Sequence, residues 1–193
     1  VIIVEGADNT GKTTLITELL KLDPNLHLLA RKKYRPERGE SIGTSYLKML
    51  DAGDVNGVAD RCMASECIYG VLFRDGCRMT VSEHAEIREQ LFQHRAIIVW
   101  CNPPNEVIER DWHARPQLYT ENPLRIANAY RQMLPRLFSG FNIVQYDWSR
   151  CDAMGFTAAR QRQQLITHHK YYQRNLHLQQ SLESLHHLNL SLL

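Results

Sequence analysis

The hydrophobic positions of this chain fall into short runs separated by longer stretches with helical spacing. Val1-Ile2-Ile3-Val4 is the first run, Leu26 to Ala30 the second, and Val55 to Ala59, interrupted by Asn56 and Gly57, a weaker third. Ala96-Ile97-Ile98-Val99-Trp100-Cys101 and Phe141-Asn142-Ile143-Val144-Gln145-Tyr146 complete the set. Short apolar runs bounded by turn residues read as buried strands. Between them, Leu15-Ile16 and Leu19-Leu20 repeat at helical spacing, and Asp23-Pro24-Asn25 reads as the stop of that helix. Ile87 and Leu91 lie on one face of a helix predicted over Val81 to Phe92, with Ser82 as its cap. Further helices are expected over Ser45 to Leu50, over Ser65 to Phe73, from Asn105 onward, and around Leu124 to Phe138. Strands alternating with helices predict an α/β fold, a three-layer sandwich whose mainly parallel central sheet has about five strands. In such sheets, ligands gather outside the carboxyl ends of the strands.

Chemistry-bearing residues follow the first strand directly. Gly6 to Thr13 matches G-x-x-x-x-G-K-[ST], the P-loop pattern. Glycines at 6 and 11 permit backbone angles that a Cβ would forbid, so the loop can wrap tightly. Backbone N–H groups along Gly6, Ala7, Asn9, Thr10, Gly11, Lys12, Thr13 and Thr14 then form an anion-binding nest, and the following helix adds its positive end. Lys12 places a point charge on the β and γ phosphates, and Thr13 offers a hydroxyl to Mg²⁺. The expected cofactors are ATP, with GTP as the alternative, and Mg²⁺. A glycine turn that binds nothing is the competing reading, and the apolar run before and the helical spacing after speak against it.

Tyr34-Arg35, Asp60-Arg61 and Asn102-Pro103 also follow predicted strands, so they should converge with the P-loop on one cleft. A P-loop alone does not choose between a kinase, a GTPase and a motor. A kinase would hold two anionic substrates close together and would need positive groups on both sides of the phosphoryl. Lys12 serves the donor; Arg35, Arg38 and Arg61 are candidates for the acceptor. Asp60, at a strand end, can orient the hydration shell of Mg²⁺ with Thr13. Attack by a phosphate oxygen needs mostly positioning, whereas attack by a hydroxyl needs a base, for which Asp8 or Asp60 is the candidate.

Composition sets the wider limits. At 193 residues, one domain with a full-sized core is expected. A net charge of +2 is too small to argue nucleic-acid binding by itself. The five cysteines are odd in number and contain no C-x-x-C, which reads as reduced thiols of a cytoplasmic protein, with Cys62 and Cys67 as buried, inert examples. No signal peptide or membrane-length apolar run occurs, and because numbering begins inside a strand an initiator methionine is expected upstream. The division expected is a kinase domain over 1–155 and a helical tail over 156–193. In that tail Leu178, Leu182, Leu185, Leu188 and Leu192 share helical spacing, read either as docking on the body of a monomer or as a homodimer contact. Adjacent pairs such as His168-His169 point to different sides of a helix and make poor metal sites. Trp112 and Trp148 are candidates to flank the nucleotide cleft.

Family motifs sharpen this picture. Tyr34-Arg35-Pro36-Glu37-Arg38-Gly39-Glu40-Ser41-Ile42-Gly43, followed by Tyr46-Leu47, resembles the loop of thymidylate kinases that carries phenylalanine or arginine, proline and glutamate before isoleucine-glycine. Asp60-Arg61 resembles the aspartate-arginine motif of that family, and Val4-Glu5-Gly6-Ala7-Asp8 with Gly11-Lys12-Thr13-Thr14 looks like its P-loop. Ser65-Glu66-x-x-Tyr69-Gly70 is similar to phage-encoded members, which would place the protein in the host cytoplasm. The resemblance implies phosphoryl transfer from ATP to a thymidylate-like pyrimidine nucleoside monophosphate. Tyr34, Arg35, Arg38 and Arg61 would then face the acceptor, and Asp8 would contact an acceptor sugar hydroxyl or take part in its activation. A basic lid is implied over Arg110 to Pro116. Because the P-loop has Asn9 and Thr10 where a cation would help, Arg110 and Arg115 are the lid candidates, against a reading as solvated helix-surface charges. The chain departs from the family in one respect: about ten residues separate Leu50 from Asp60, too few for the family's long helix plus a strand. An open acceptor side suits a larger substrate, and the chain also looks compatible with phage kinases that phosphorylate 5-hydroxymethyluracil within DNA. Arg31-Lys32-Lys33, Arg35 and Arg38 beside Tyr34 would then meet a DNA backbone. A nucleotide-binding switch that transfers nothing is the third reading.

Overall fold

A computed structural model describes residues 1–29, 39–51, 56–115, 122–149 and 160–171. Tyr34, Arg35, Arg38 and the leucine repeat of the tail lie outside the described residues. In chain order the elements are β1 (Ile2–Glu5), α1 (Lys12–Leu22), β2 (His27–Leu29), α2 (Ile42–Asp51), β3 (Gly57–Asp60) and α3 (Met63–Phe73). They continue with α4 (Val81–Gln93), β4 (Ile97–Cys101), α5 (Asn105–Ala114), α6 (Pro123–Leu137) and β5 (Asn142–Tyr146). A last helix, α7, runs over 160–171.

The strands form one parallel sheet in the order β2-β3-β1-β4-β5. β1 is central and wholly buried, as its unbroken apolar run requires. Strand alternation sorts the side chains into two cores. Ile3, Ala59 and Ile98 face α2, α3, α4 and α6, where they meet Tyr46, Ile68, Ile87 and Tyr130. Ile2, Val4, Val58, Ile97 and Val99 face α1, where they meet Leu15, Ile16 and Leu19. Leu165 and Ile166 of α7 join this second core, and Lys170 Nζ lies 3.0 Å from the buried Asp23 carboxylate. The register sets Val4 opposite Asp60 on one side and Val99 on the other, so the loop after β1 opens beside the ends of β3 and β4. That juxtaposition positions the site.

Two local readings are corrected. The cap of α4 is Thr80: its side chain accepts from the Glu83 N–H, and the Glu83 carboxylate accepts from the Thr80 N–H at 2.8 Å, a closed capping box. Ser82 lies inside the helix, where its backbone is already helical and cannot serve as a cap. The helix expected from Asn105 onward runs to Ala114, through residues with no glycine or proline. Asn56 lies in a turn and the third strand runs from Gly57 to Asp60, where the glycine is steric: a Cβ would meet the Leu29 side chain at 2.4 Å. No helix among the described residues is long and apolar enough to cross a membrane.

The capping box makes a clean stability prediction. Thr80→Ala should cost about 1 kcal/mol, and Ser82→Ala should stay within about 0.5 kcal/mol. Urea midpoints at unchanged m-value measure both, and equal effects at the two positions would contradict the assignment.

Candidate active site

The loop between β1 and α1 adopts backbone angles that its sequence permits. Gly6 has φ +149°, and a Cβ on it would lie 2.6 Å from the Cys101 carbonyl oxygen. Gly11 has φ +84°, and a Cβ there would lie 2.5 Å from Trp148 Cδ1, so the tryptophan stands directly on the loop. Gly11 is also the N-cap of α1, contributes no capping side chain, and is followed by no acid in the first turn. The first N–H groups of α1 therefore remain available to an anion.

Lys12 is buried, and its ammonium donates to the Ala7 carbonyl, which also accepts from Thr10 Oγ1 at 2.8 Å. Burial, with the Arg61 charge nearby, lowers the Lys12 pKa to about 8. Asp60 shows a complementary deficit. Its Oδ1 is buried without a hydrogen-bond partner among the described residues, and Asp60 lines the same cavity as Thr13. A carboxylate oxygen and a hydroxyl are the hard donors that Mg²⁺ takes when phosphates and water complete its shell, so these residues fit that ion. No group of three acidic, histidine or cysteine side chains able to hold a metal occurs among the described residues.

At the next turn, Arg61 adopts φ +73° and its N–H donates to the Val4 carbonyl at 3.0 Å. Its guanidinium pairs with Asp8 and lies 4.9 Å from the centroid of the Tyr69 ring. The Tyr69 hydroxyl donates to the other oxygen of Asp8 at 2.7 Å. Beneath this pair lies Glu5, fully buried. Its carboxylate accepts from the Cys62 N–H at 2.8 Å, the Ser65 hydroxyl at 2.7 Å and the Tyr130 hydroxyl at 3.1 Å. Burial pushes the Glu5 carboxyl above the usual carboxylate range.

Two cavities open here. The larger, about 720 Å³, lies over the P-loop and reaches Asp60 and Arg61. Its far side is formed by Arg115, Tyr146, Trp148 and Arg162. The smaller, about 350 Å³, is walled by Tyr46, Tyr69 and Phe73, with Glu66 and Arg74 beside them. Asp8 and Arg61 belong to both.

The expected convergence is therefore partial. The P-loop, Asp60 and Arg61 come together, and Arg115 joins them from the end of α5, where its carbonyl accepts from Asn9 Nδ2 at 2.9 Å. Arg110 lines neither of these cavities; it lies 2.9 Å from the Asp111 carboxylate and 5.8 Å from the Trp148 ring centroid. Asn102 is absent from both as well, its side chain accepting from Arg131 Nε at 3.1 Å. Trp148 flanks the larger cavity, whereas Trp112 does not. Glu5, Tyr69, Tyr130 and Arg162 received no role from the sequence. Glu5 could have been noticed as a charge that continues an apolar strand; Arg162 carries no comparable signal.

The five-stranded parallel sheet with a P-loop after its central strand matches the fold of P-loop kinases of known structure. No family model and no curated protein matches the chain. Among solved structures it is similar to the YorR protein of Bacillus subtilis in complex with phosphorylated GDP, at TM-score 0.66 and 20% identity over 86% of this chain and 93% of that one. It is also similar to deoxyadenosine kinase from M. mycoides with dCMP and dCDP bound, at TM-score 0.52 and 13% identity over 86% and 96%. Shikimate kinase from Acinetobacter baumannii in complex with shikimate follows at TM-score 0.50 and 20% identity over 88% and 93%.

The depressed Lys12 pKa predicts a pH signature. Between about 8 and the ordinary 10.5, the unfolded chain binds more protons than the folded one, so stability from this group rises with pH across that window. The penalty is fully present below the folded value and is of order 3 kcal/mol at most. Lys12→Met should therefore be more stable than the parent near about pH 7, with the margin fading by about pH 10. A margin independent of pH in urea denaturation would contradict the assignment.

Proposed function

We propose that this protein is a kinase that moves the γ-phosphoryl of ATP to a nucleotide acceptor, most simply a thymidylate-like pyrimidine nucleoside monophosphate. The observation that carries this reading is the meeting of two cavities at Asp8 and Arg61, one over a P-loop and one walled by aromatic rings. A cavity of about 350 Å³ suits one mononucleotide, with the base against Tyr69 and Phe73. The bound nucleotides named for the YorR and deoxyadenosine kinase structures support a nucleotide acceptor over a small acid.

Each residue then has a task. The N–H groups of Gly6 to Thr14 take the donor phosphates, and the incoming anion draws the Lys12 ammonium away from the Ala7 carbonyl. Thr13 and Asp60 would hold Mg²⁺, which when bound would supply charge neutralisation at the β and γ phosphates. Arg115 and Arg162 supply the cations that Asn9 and Thr10 cannot, and Arg110, already on Asp111, holds Trp148 in place. Arg61 lies between acceptor and donor, where its fixed charge balances the transferring group. Tyr34, Arg35 and Arg38 keep the acceptor-side roles implied by their motif. An acceptor oxygen attacks the γ-phosphorus, the bond to the β–γ bridging oxygen breaks, and ADP leaves. A phosphate nucleophile brings no proton; a hydroxyl gives its proton to Asp8, which Arg61 and Tyr69 hold in position.

One observation favours a second reading. α2 ends at Asp51 and β3 begins at Gly57, so no long helix covers the acceptor side between them. That opening suits a polymer, such as DNA carrying 5-hydroxymethyluracil, whose base hydroxyl would be the acceptor.

Transfer from γ-labelled ATP, with GTP run beside it, tests the proposal against dTMP, dUMP, 5-hydroxymethyl-dUMP and duplex DNA with or without 5-hydroxymethyluracil. Label in a nucleoside diphosphate is expected. Label retained in DNA alone would establish the second reading, and nucleotide-dependent partner binding without labelled acceptor would leave a switch. Lys12→Ala should lower kcat by about a hundredfold or more with the fold intact by circular dichroism. Asp8→Asn should reduce turnover at unchanged ATP affinity; unaltered transfer in either variant would remove that residue from the mechanism.

A further inference from the structure

Cys67 and Cys77 take no part in the proposed transfer, yet their sulfurs are 3.4 Å apart. Cys67 lies on α3 and is buried; Cys77, in the connection from α3 to α4, is partly exposed. A disulfide needs its sulfurs about 2 Å apart, so closure asks for a shift of little more than an ångström.

The backbone already brings the two together. The connection doubles back at Gly76, whose N–H donates to the Gly70 carbonyl at 3.3 Å. A Cβ on Gly70 would lie 2.4 Å from the Gly76 carbonyl oxygen, so a glycine at 70 is what lets the returning chain touch the helix. The residues next to the thiols join the same two segments. Glu66, beside Cys67, accepts from Arg74 at 2.8 Å and from Arg78, beside Cys77, at 3.0 and 3.1 Å. Glu66 and Arg74 line the smaller cavity, as do Tyr69 and Phe73 of the same helix. The thiol pair thus sits directly behind the wall of the proposed acceptor site.

We propose that Cys67 and Cys77 form a reversible disulfide that weakens acceptor binding. The co-reactant is a low-molecular-weight disulfide, RSSR. The accessible Cys77 thiolate attacks one sulfur of RSSR; a bond forms from Cys77 Sγ to that sulfur, the RS–SR bond breaks, and one thiolate leaves. Cys67 then attacks the Cys77 sulfur and expels the second thiolate. The protein dithiol loses two electrons and two protons, and RSSR gains both to become two RSH. Closure draws the connection toward α3, tightening Arg74 and Arg78 on Glu66 and so shifting the wall of the smaller cavity that Glu66 and Arg74 form. Burial, together with the neighbouring Cys77, pushes the Cys67 thiol up to about 12, so the second exchange is the slow one. Among the described residues, Cys62 and Cys101 are more deeply buried still, so Cys77 is the described cysteine most accessible to the exchange.

Incubation of the full chain with oxidised glutathione, followed by proteolysis and mass spectrometry, tests the site. A cross-link between the peptides of Cys67 and Cys77, about 2 Da below the sum of the free thiols and reversed by dithiothreitol, is expected. Cys67→Ser should stop at a glutathione adduct on Cys77, and Cys77→Ser should give no cross-link. In the cross-linked protein the KM for the acceptor should rise about fivefold while that for ATP is unchanged, and Cys77→Ser should show no change under the same treatment. Free thiols, a mixed adduct alone in the parent protein, or a link to another cysteine would overturn the proposal; so would a cross-link that leaves the acceptor KM unchanged. The cross-link is read by mass, so it stands or falls separately from the kinase reading, on which only the KM arm rests.

Discussion

The buried carboxylate of Glu5 holds the candidate site together. An isolated charge at that depth would cost several kcal/mol, and here donors from the start of α3 and from α6 offset that cost. Because Glu5 ends β1 and Cys62 and Ser65 open α3, the same hydrogen bonds lock the P-loop to the turn at Asp60-Arg61. Arg61 can then persist at φ +73°, a backbone state that a non-glycine residue keeps only where its surroundings impose it. Its guanidinium is thereby carried to Asp8, and the two cavities acquire a common wall.

Above that anchor, the P-loop side is electrostatically incomplete. Lys12 rests on a neutral carbonyl and loses basicity, while Asp60 keeps a buried oxygen without a partner among the described residues. Both deficits would be relieved by a ligand that brought phosphate to Lys12 and a cation to Asp60. Stability withheld in this way from the free protein is the usual mark of a binding site. The smaller cavity differs: its acids and arginines are paired with one another, and its walls are aromatic. If this cavity takes the acceptor as proposed, shape and stacking set its choice more than net charge does.

The sequence carried the elements and the loop because both are local. A run such as Ile2 to Val4 can be buried only as a strand between two others, and the P-loop spacing is fixed by the loop's own backbone. The α4 cap was misread because Thr80 and Ser82 are equally good cap types, and only the reciprocal bond to Glu83 selects between them. Features made by contact across the fold could not be read in this way. Tyr130 reaches Glu5 across 125 positions, and Arg162 enters the donor cavity only because Leu165 and Ile166 pack α7 onto the sheet. The nearness of Cys67 and Cys77 depends on the reversal at Gly76, which their spacing does not reveal.

The central claim is that donor and acceptor meet across Asp8 and Arg61. Its most direct test is competition binding of a dinucleoside pentaphosphate joining adenosine to thymidine, which spans both cavities if they are correctly assigned. The account predicts competition with ATP and with dTMP alike, at an affinity at least about tenfold above that for ATP, and loss of the advantage in Tyr69→Ala. Competition with ATP alone, at the affinity of ATP, would mean that the aromatic cavity is not the acceptor site.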